Sequence, residues 1–220
     1  MAASTSEPPA LPWAQLRWLA QALTPASRAL TRRWRALASS RSALIVCFAW
    51  AFGEATVWPV IPDVALFVLV LAVPGRAPRL LLATLAGAAA GGVVTLGISW
   101  LAPSLAEAVV LHVPLVHARS LPAVMQHLRN GSLLSAFLFQ PWSGIPFKLW
   151  AVEAVRAGFS PWLIAPCFVI GRALRFLVVA LIATALGRML QRRLADIAVP
   201  LILLTGPSAA TLFYMVAIAG

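Results

Sequence analysis

Charge is scarce in this chain. Only 10% of its 220 residues are Asp, Glu, Lys or Arg, and 61% are hydrophobic, whereas about a quarter of the residues of a soluble domain are charged. This composition excludes an ordinary soluble domain and indicates a membrane protein. A chain of this length has room for a handful of spanning segments of about 20 residues each, and none for a separate soluble enzyme domain.

Acidic residues and cysteine are scarcer still. The chain has six Asp and Glu residues and 17 Lys and Arg residues, which gives a net charge of +11. In a soluble protein, a charge this positive would suggest nucleic acid as a partner. Six arginines, however, precede the first apolar run, where positive charge attracts anionic lipid headgroups and holds a segment in the cytoplasm. We therefore expect no nucleic-acid partner. Cys47 and Cys167 lie in apolar runs and predict neither a disulfide framework nor a metal knuckle.

Familiar catalytic motifs are also lacking. The sequence contains no HExxH, GxSxG or Walker pattern, and WSG followed by Ile145 lacks the histidine of the PSGH element of lipid phosphatases. His112, His117 and His127 have no carboxylate or cysteine at ligand spacing. The sequence thus predicts no enzyme activity, no metal and no cofactor.

Residues 1–42 are predicted to form a basic, amphipathic segment. They are too long and too rich in arginine for the n-region of a cleaved signal peptide, and no A-x-A site follows the apolar stretch. Apolar residues recur at helical spacing among the arginines, which is typical of a helix in the membrane interface. Pro25 interrupts the pattern, and a partly disordered basic tail is the alternative.

Residues 43–73 are apolar but do not suit one span or two. A straight helix of this length would measure about 46 Å, against a hydrocarbon core of about 30 Å. Pro59 and Pro62 divide the region into pieces too short to span, and Glu54 and Asp63 are costly on a lipid-facing helix. The region predicts a re-entrant hairpin that turns at the prolines and leaves on the side it entered, because irregular backbone at that depth must be buried in protein or line a wet cavity.

The pattern then recurs along the chain. Residues 80–102 are predicted to span the membrane, and residues 103–131 to form an extramembrane segment with some amphipathic helix. Residues 132–158 are predicted to form a second broken hairpin and residues 161–189 another span. Residues 190–220 are predicted to form a basic turn and a C-terminal spanning helix. The predicted turn residues of the two hairpins are Pro59, Pro62, Pro141, Gly144 and Pro146.

The first span also carries a packing motif. Gly87 and Gly91 form a small-xxx-small pair, a spacing that lets another helix approach closely. We expect these glycines to serve packing rather than chemistry.

Charge asymmetry predicts the topology. If each hairpin returns to its own side, eleven basic residues share one face and at most three the other, so the positive-inside rule places the N-terminus in the cytoplasm and the C-terminus outside. The expected fold is an all-α integral membrane protein with two re-entrant hairpins in an inverted repeat, each followed by a spanning helix. Many transporters bind substrate at the midplane of such repeats.

Polar side chains in the apolar regions are the candidate site residues. Those predicted to lie within or near the membrane are Glu54, Asp63, Gln140, Lys148, Glu153, Arg172 and Arg175. Arg172 and Arg175, three residues apart, share a helical face that could bind a phosphate bidentately. Alternatively, they only neutralise the carboxylates of hairpin 1. Because an unpaired charge at that depth is unfavourable, we expect Glu54 or Asp63 to approach Arg172 or Arg175.

Several of these segments resemble one membrane protein family. The segments are GEATVWPVIPD, LAGAAAGGVV, and SGIPFKLWAVEA followed by FVIGRALRF. They are similar, in the same order, to motifs of the DedA-like proteins, also called VTT or SNARE-associated Golgi domain proteins, and the sequence most closely resembles their YqaA-like branch. The resemblance covers residues 43–189 and puts Glu54, Asp63, Lys148, Arg172 and Arg175 on motif positions. The better-known DedA pattern has an arginine-phenylalanine pair before its second turn and an arginine after it. This chain departs from that pattern there.

The resemblance implies two facing re-entrant hairpins and a role in lipid translocation at a bacterial inner membrane. The leading hypothesis is a translocator, without covalent chemistry, of an anionic phospholipid or polyprenyl phosphate, with membrane lipids as its partners. Proton coupling would suit the membrane-embedded carboxylates. Two alternatives stay open: a proton-coupled carrier of a small polar solute, and a structural or assembly protein whose buried charges only hold helices together.

Overall fold

The computed structural model describes residues 29, 32–57, 61–113 and 120–193, and these ranges contain helices and turns but no strand. Its helices are α1 (Arg32–Ala38), α2 (Arg41–Thr56), α3 (Asp63–Ala72), α4 (Ala77–Leu101), α5 (Pro103–Leu111), α6 (Leu121–Asn130), α7 (Leu133–Phe139), α8 (Phe147–Arg156) and α9 (Pro161–Arg193). The expected all-helical class is confirmed for this part of the chain.

Two helices are long and apolar enough to cross a membrane. They cover Pro74–Leu101, which includes α4, and Pro161–Met189 of α9, close to the predicted spans at 80–102 and 161–189. This is consistent with a membrane protein. The predicted C-terminal span and most of the predicted N-terminal amphipathic segment lie outside the described residues.

A sharp bend separates α1 from α2. The two helices meet at 68°, and α2 begins after Ser40, whose hydroxyl accepts a hydrogen bond from Ala43 N. Arg76 Nη1 donates to Ala38 O at 3.2 Å and to Ser40 O at 3.1 Å. Ala38 ends α1, and the last carbonyl groups of a helix have no partner within it. Arg76 follows α3, so the chain after α3 has returned to the point where α2 begins.

Both interrupted apolar regions are pairs of short helices. Residues 43–73 form α2 and α3, with Pro62 at the N-cap of α3, while Pro59 lies outside the described residues. In the second region, Gln140–Trp142 form a 3-10 turn between α7 and α8. Gly144 there has a φ of +72°, a left-handed conformation that favours glycine, and Pro146 precedes α8 as its N-cap. None of these short helices alone reaches the roughly 17 residues that a span requires. Taken together, α1 and α2 are long and apolar enough for one broken span or a re-entrant loop.

Glycines bring the first helix of each region against the long helix that follows it. A Cβ atom on Gly87 would overlap Phe48 O, and one on Gly91 would lie 2.6 Å from Phe52 O, so α4 packs directly on the backbone of α2. This confirms the packing predicted for the glycine pair. Gly171 of α9 has the corresponding relationship to the Phe137 carbonyl of α7.

The second helix of each region packs differently. α3 contacts α9 more extensively than α4, and α8 contacts α4 more extensively than α9. Each second helix therefore lies mainly against the long helix of the other half of the protein. As a result, the start of α3 and the turn before α8 both contact α9.

Aromatic side chains fill the space around α8. All residues of α8 from Phe147 to Ala154 are buried, and the Phe147 ring stacks on Phe168 with 3.7 Å between centroids. On another side, α5 and α6 cover α8, and His127 of α6 lies 5.8 Å from Trp150 in an edge contact. Enclosure on these sides fixes the position of α8.

Candidate functional site

The last turn of α2 carries a buried carboxylate that meets an arginine of α9. Glu54 Oε1 lies 3.0 Å from Arg172 Nη2, and only 5% and 2% of the two side chains are exposed. The end of α2 is fixed against α4 by Thr95, whose hydroxyl donates to Ala55 O at 2.6 Å. The position of the Glu54 side chain therefore depends on contacts of α2 with both long helices, α4 and α9.

A second ion pair joins the two breaks. Asp63, the first residue of α3, has its Oδ2 atom 2.6 Å from Arg175 Nη2. The same guanidinium donates through Nη1 to the Pro141 carbonyl in the turn between α7 and α8. Arg175 thus contacts both interrupted regions at once. These two ion pairs confirm the predicted approach of the carboxylates to the arginines.

Lys148 completes the group. It is the second residue of α8, is 1% exposed, and interacts electrostatically with both Glu54 and Arg172. All five predicted site residues therefore lie together, and we call Glu54, Asp63, Lys148, Arg172 and Arg175 the charged cluster. The N-termini of α3 and α8, where a helix dipole is positive, also lie at it.

Several polar atoms of this region have no hydrogen-bond partner among the described residues. They are Glu54 Oε2, Asp63 Oδ1, Gln140 Oε1 and Arg172 Nε, all buried. Because buried polar groups are nearly always hydrogen-bonded, the charged cluster has donor and acceptor capacity left for a ligand or a proton. Arg172 Nε is the donor among these atoms.

The turn before α8 is held by its own side chains. Gln140 Nε2 donates to Ile145 O at 3.0 Å, the Ser143 hydroxyl donates to Gln140 O at 2.8 Å, and Ile145 N donates to the Ser143 hydroxyl at 3.1 Å. Sequence reasoning marked Gln140 as an intramembrane polar residue without a role. The structure gives it one, since it closes the turn that presents Pro141 O to Arg175.

Sequence reasoning missed a separate ion-pair network. Arg156 Nη1 lies 2.8 Å from Glu107 of α5 and 3.2 Å from Glu153 of α8. Glu153 and Arg156 are three residues apart in one helix, and this spacing could have indicated the ion pair between them. Nothing in the sequence pointed to Glu107, which reaches Arg156 only through the packing of α5 on α8.

An aromatic ring lies beside the charged cluster. The Arg172 guanidinium carbon is 5.5 Å from the centre of the Phe168 ring, within the range of a cation–π contact. Phe168 and Arg172 are four residues apart in α9, a spacing that places them on one helical face. The four-residue spacing in the sequence therefore indicates that the ring lies near Arg172.

The chemistry of the cluster favours an anion over a metal. Within the described ranges, no group of three or more His, Cys, Asp or Glu side chains could hold a metal ion. Lys148, Arg172 and Arg175 are hydrogen-bond donors without acceptor atoms. Three cationic groups against two carboxylates leave the cluster able to attract a further negative charge.

Comparison with known proteins adds no assignment. No family model, no curated protein and no solved structure matches this chain. A function must therefore be argued from the residues and their geometry.

Proposed function

We propose that this protein is a membrane lipid translocator for lipids with an anionic headgroup, acting without covalent chemistry. The observation that carries the proposal is the charged cluster, which lies where two interrupted helix pairs meet between two helices long enough to cross a membrane. Charge is expensive inside a bilayer and usually marks a substrate or ion pathway.

The proposed architecture is an inverted repeat of two re-entrant hairpins. Two observations support it. First, Arg76 contacts Ser40, which brings the two ends of the first broken pair together. Second, the two halves pack alike: α2 lies on α4 and α3 on α9 in the first half, and α7 lies on α9 and α8 on α4 in the second. Inverted repeats commonly place the substrate site at their interface. The resemblance of residues 43–189 to DedA-like proteins supports the same arrangement.

The charged cluster provides the chemistry that a phosphate headgroup requires. A guanidinium offers a planar fork that matches phosphate oxygens, and Arg172 and Arg175 lie three residues apart on α9. Arg172 Nε is buried and has no partner among the described residues. Lys148 adds a third positive charge at the positive end of α8.

The carboxylates act as exchangeable partners in this proposal. Glu54 and Asp63 hold Arg172 and Arg175 while no substrate is bound, because an unpaired charge in that environment is strongly unfavourable. An incoming phosphate displaces a carboxylate, which then takes up a proton or turns to Lys148. This exchange provides a physical basis for proton coupling.

The proposed location is a bacterial inner membrane, with the N-terminus in the cytoplasm. Arg76 and Arg79 lie at the N-terminal end of α4 and Arg188 lies in the C-terminal part of α9. If both helices span, these three arginines share one side of the membrane, as the positive-inside rule requires of the cytoplasmic face.

Reconstitution into liposomes tests the proposal. Vesicles containing fluorescent phosphatidylglycerol in both leaflets are treated with dithionite, which bleaches only the outer leaflet. We expect protein-containing vesicles to lose nearly all fluorescence, and protein-free vesicles about half. Uptake of a small polar solute without lipid movement would favour the carrier hypothesis, and neither activity would favour a structural role.

A further inference from the structure

An apolar groove lies between the last part of α4 and the first turns of α9. Its volume is about 320 Å³, within the range of about 300 to 1,000 Å³ found for small-molecule sites. Val93 and Gly97 belong to its α4 wall, and Ala165 to its α9 wall. Ser160 supplies the only hydroxyl among the groove's lining residues, and two tryptophans add indole N–H donors, so most of the lining is apolar.

Tryptophan marks one end of the groove. Trp100 and Trp162, both lining residues, are 56% and 87% exposed, and exposed tryptophan is enriched where a membrane meets water. From Trp100 to Val93 the groove follows α4 for about 10 Å, at 1.5 Å per residue. The groove therefore runs from the end of the long helices toward their middle.

The Phe168 ring lies close both to the inner end of the groove and to the charged cluster. Gly92, next to Val93, has no side chain where the Phe168 ring lies, and a Cβ atom there would overlap the ring. Phe168 follows Ala165 by one turn of α9. The centre of the same ring lies 5.5 Å from the Arg172 guanidinium carbon, and the ring stacks on Phe147.

The two neighbouring sites suit the two ends of one amphiphile. The groove can hold a hydrocarbon chain in apolar contact, while Arg172 is a buried cation whose Nε–H has no partner among the described residues. A small polar solute would make no use of the groove, and a neutral hydrocarbon would make no use of Arg172. An anionic lipid uses both.

We propose that this groove holds one hydrocarbon chain of the translocated lipid while its anionic headgroup engages Arg172, with the Phe168 ring close to both. The inference rests on the proposed function and adds the part of the site that binds the tail. Because the groove opens toward the surroundings of α4 and α9, the chain remains in apolar contact throughout the headgroup's passage.

Photocrosslinking from the groove tests this inference. The photoreactive residue benzoylphenylalanine replaces Leu101, which lines the groove and is 83% exposed. In a matched control it replaces Leu181, a residue of α9 that is 59% exposed and does not line the groove. The full chain is reconstituted in vesicles of equal phosphatidylglycerol and phosphatidylcholine, and adducts are identified by mass. We expect the ratio of phosphatidylglycerol to phosphatidylcholine adducts to be about fivefold higher at Leu101, equivalent to about 1 kcal/mol of preference.

A second variant fills the groove without disturbing the backbone. A Cβ atom at Gly97 meets no atom within 4 Å, so Gly97→Phe adds a ring to the groove without a backbone clash. It should abolish the enrichment at Leu101, whereas Leu82→Phe, on the exposed part of α4 away from the groove, should preserve it. Equal adduct ratios at both positions, an enrichment insensitive to Gly97→Phe, or adducts to a second copy or to this chain's own residues would overturn the inference.

The outcome is separable from that of the proposed function. Lipid movement in the dithionite assay without enrichment at Leu101 would leave translocation standing and overturn the groove as the tail site. Enrichment at Leu101 without lipid movement would support the tail site and contradict translocation.

Discussion

Glu54 of α2 and Arg172 of α9 form a buried ion pair between residues 118 positions apart, with 3.0 Å between Oε1 and Nη2. The second pair, Asp63 with Arg175, likewise joins the first broken region to the second long helix. The carboxylates of the cluster come from one half of the protein and the guanidinium groups from the other. The halves are therefore coupled by charge, and a ligand that competes for an arginine also weakens the contact between them.

Removing one partner of the buried pair should cost more than removing both. Glu54→Gln leaves Arg172 and Lys148 without their shared carboxylate, and we expect a loss of about 3 to 5 kcal/mol of unfolding free energy, as for other broken buried pairs. Adding Arg172→Gln should recover part of this loss. The measurement is thermal unfolding in detergent of the two single variants and the double variant. Strictly additive effects would contradict the pairing.

The Arg156 network should be weaker and sensitive to salt. Arg156 and Glu107 are 44% and 32% exposed, so Glu107→Gln should cost less than about 1 kcal/mol. Arg156→Gln should cost more, about 1 to 3 kcal/mol, because it leaves the largely buried Glu153 carboxylate without this donor. In 1 M salt, which screens exposed charges within about 3 Å, the Glu107→Gln effect should vanish. An equal cost for the two variants would show that Glu153 does not depend on Arg156.

Two glycines of one helix should respond in opposite ways to alanine. Gly87→Ala puts a Cβ atom into Phe48 O of α2, whereas Gly97→Ala meets nothing within 4 Å. We expect Gly87→Ala to destabilise the protein by about 1 to 3 kcal/mol through overpacking. Gly97→Ala should be neutral or stabilise it by up to about 1 kcal/mol, since alanine favours helix. Thermal unfolding of the two variants decides, and a similar loss for both would refute close packing of α2 on α4.

The proposed hairpin topology predicts same-side labelling. Ser42 and Gly75 are exposed and lie at the two ends of the first broken pair. In a background with Cys47→Ala and Cys167→Ala, a membrane-impermeant maleimide should label Ser42→Cys and Gly75→Cys from the same, cytoplasmic, side of inner-membrane vesicles. Labelling of the two positions from opposite sides would mean that the segment crosses the membrane.

Features that depend on local composition and spacing could be predicted from the sequence. The spans at 80–102 and 161–189 follow from uninterrupted apolar runs, and α4 and α9 lie there. Prolines and an acidic residue marked the break before α3, which begins at Asp63. The glycine pair indicated close packing, and Gly87 and Gly91 lie against the backbone of α2.

What the sequence did not specify was which elements meet. Pairing of either carboxylate with either arginine was expected, but the assignment of Glu54 to Arg172 and Asp63 to Arg175 depends on the packing of α3 on α9. The contact of Arg156 with Glu107 and the placement of Phe168 near both Gly92 and Arg172 are likewise tertiary. Hydrophobic periodicity reports burial and not the identity of the neighbour, which explains why these contacts had to come from the structure.

The most direct test of headgroup binding compares two positively charged side chains at position 172. Arg172→Lys keeps a positive charge beside Glu54 but loses the planar fork suited to phosphate. In the dithionite assay we expect the rate of phosphatidylglycerol movement to fall about ten- to a hundredfold, the equivalent of one lost charge-assisted hydrogen bond. Thermal unfolding should stay close to wild type, and Arg129→Lys, at an exposed position of α6, should transport normally. Wild-type lipid movement by Arg172→Lys, together with misfolding of Arg172→Ala, would make Arg172 a structural counter-ion and contradict its role in binding the headgroup.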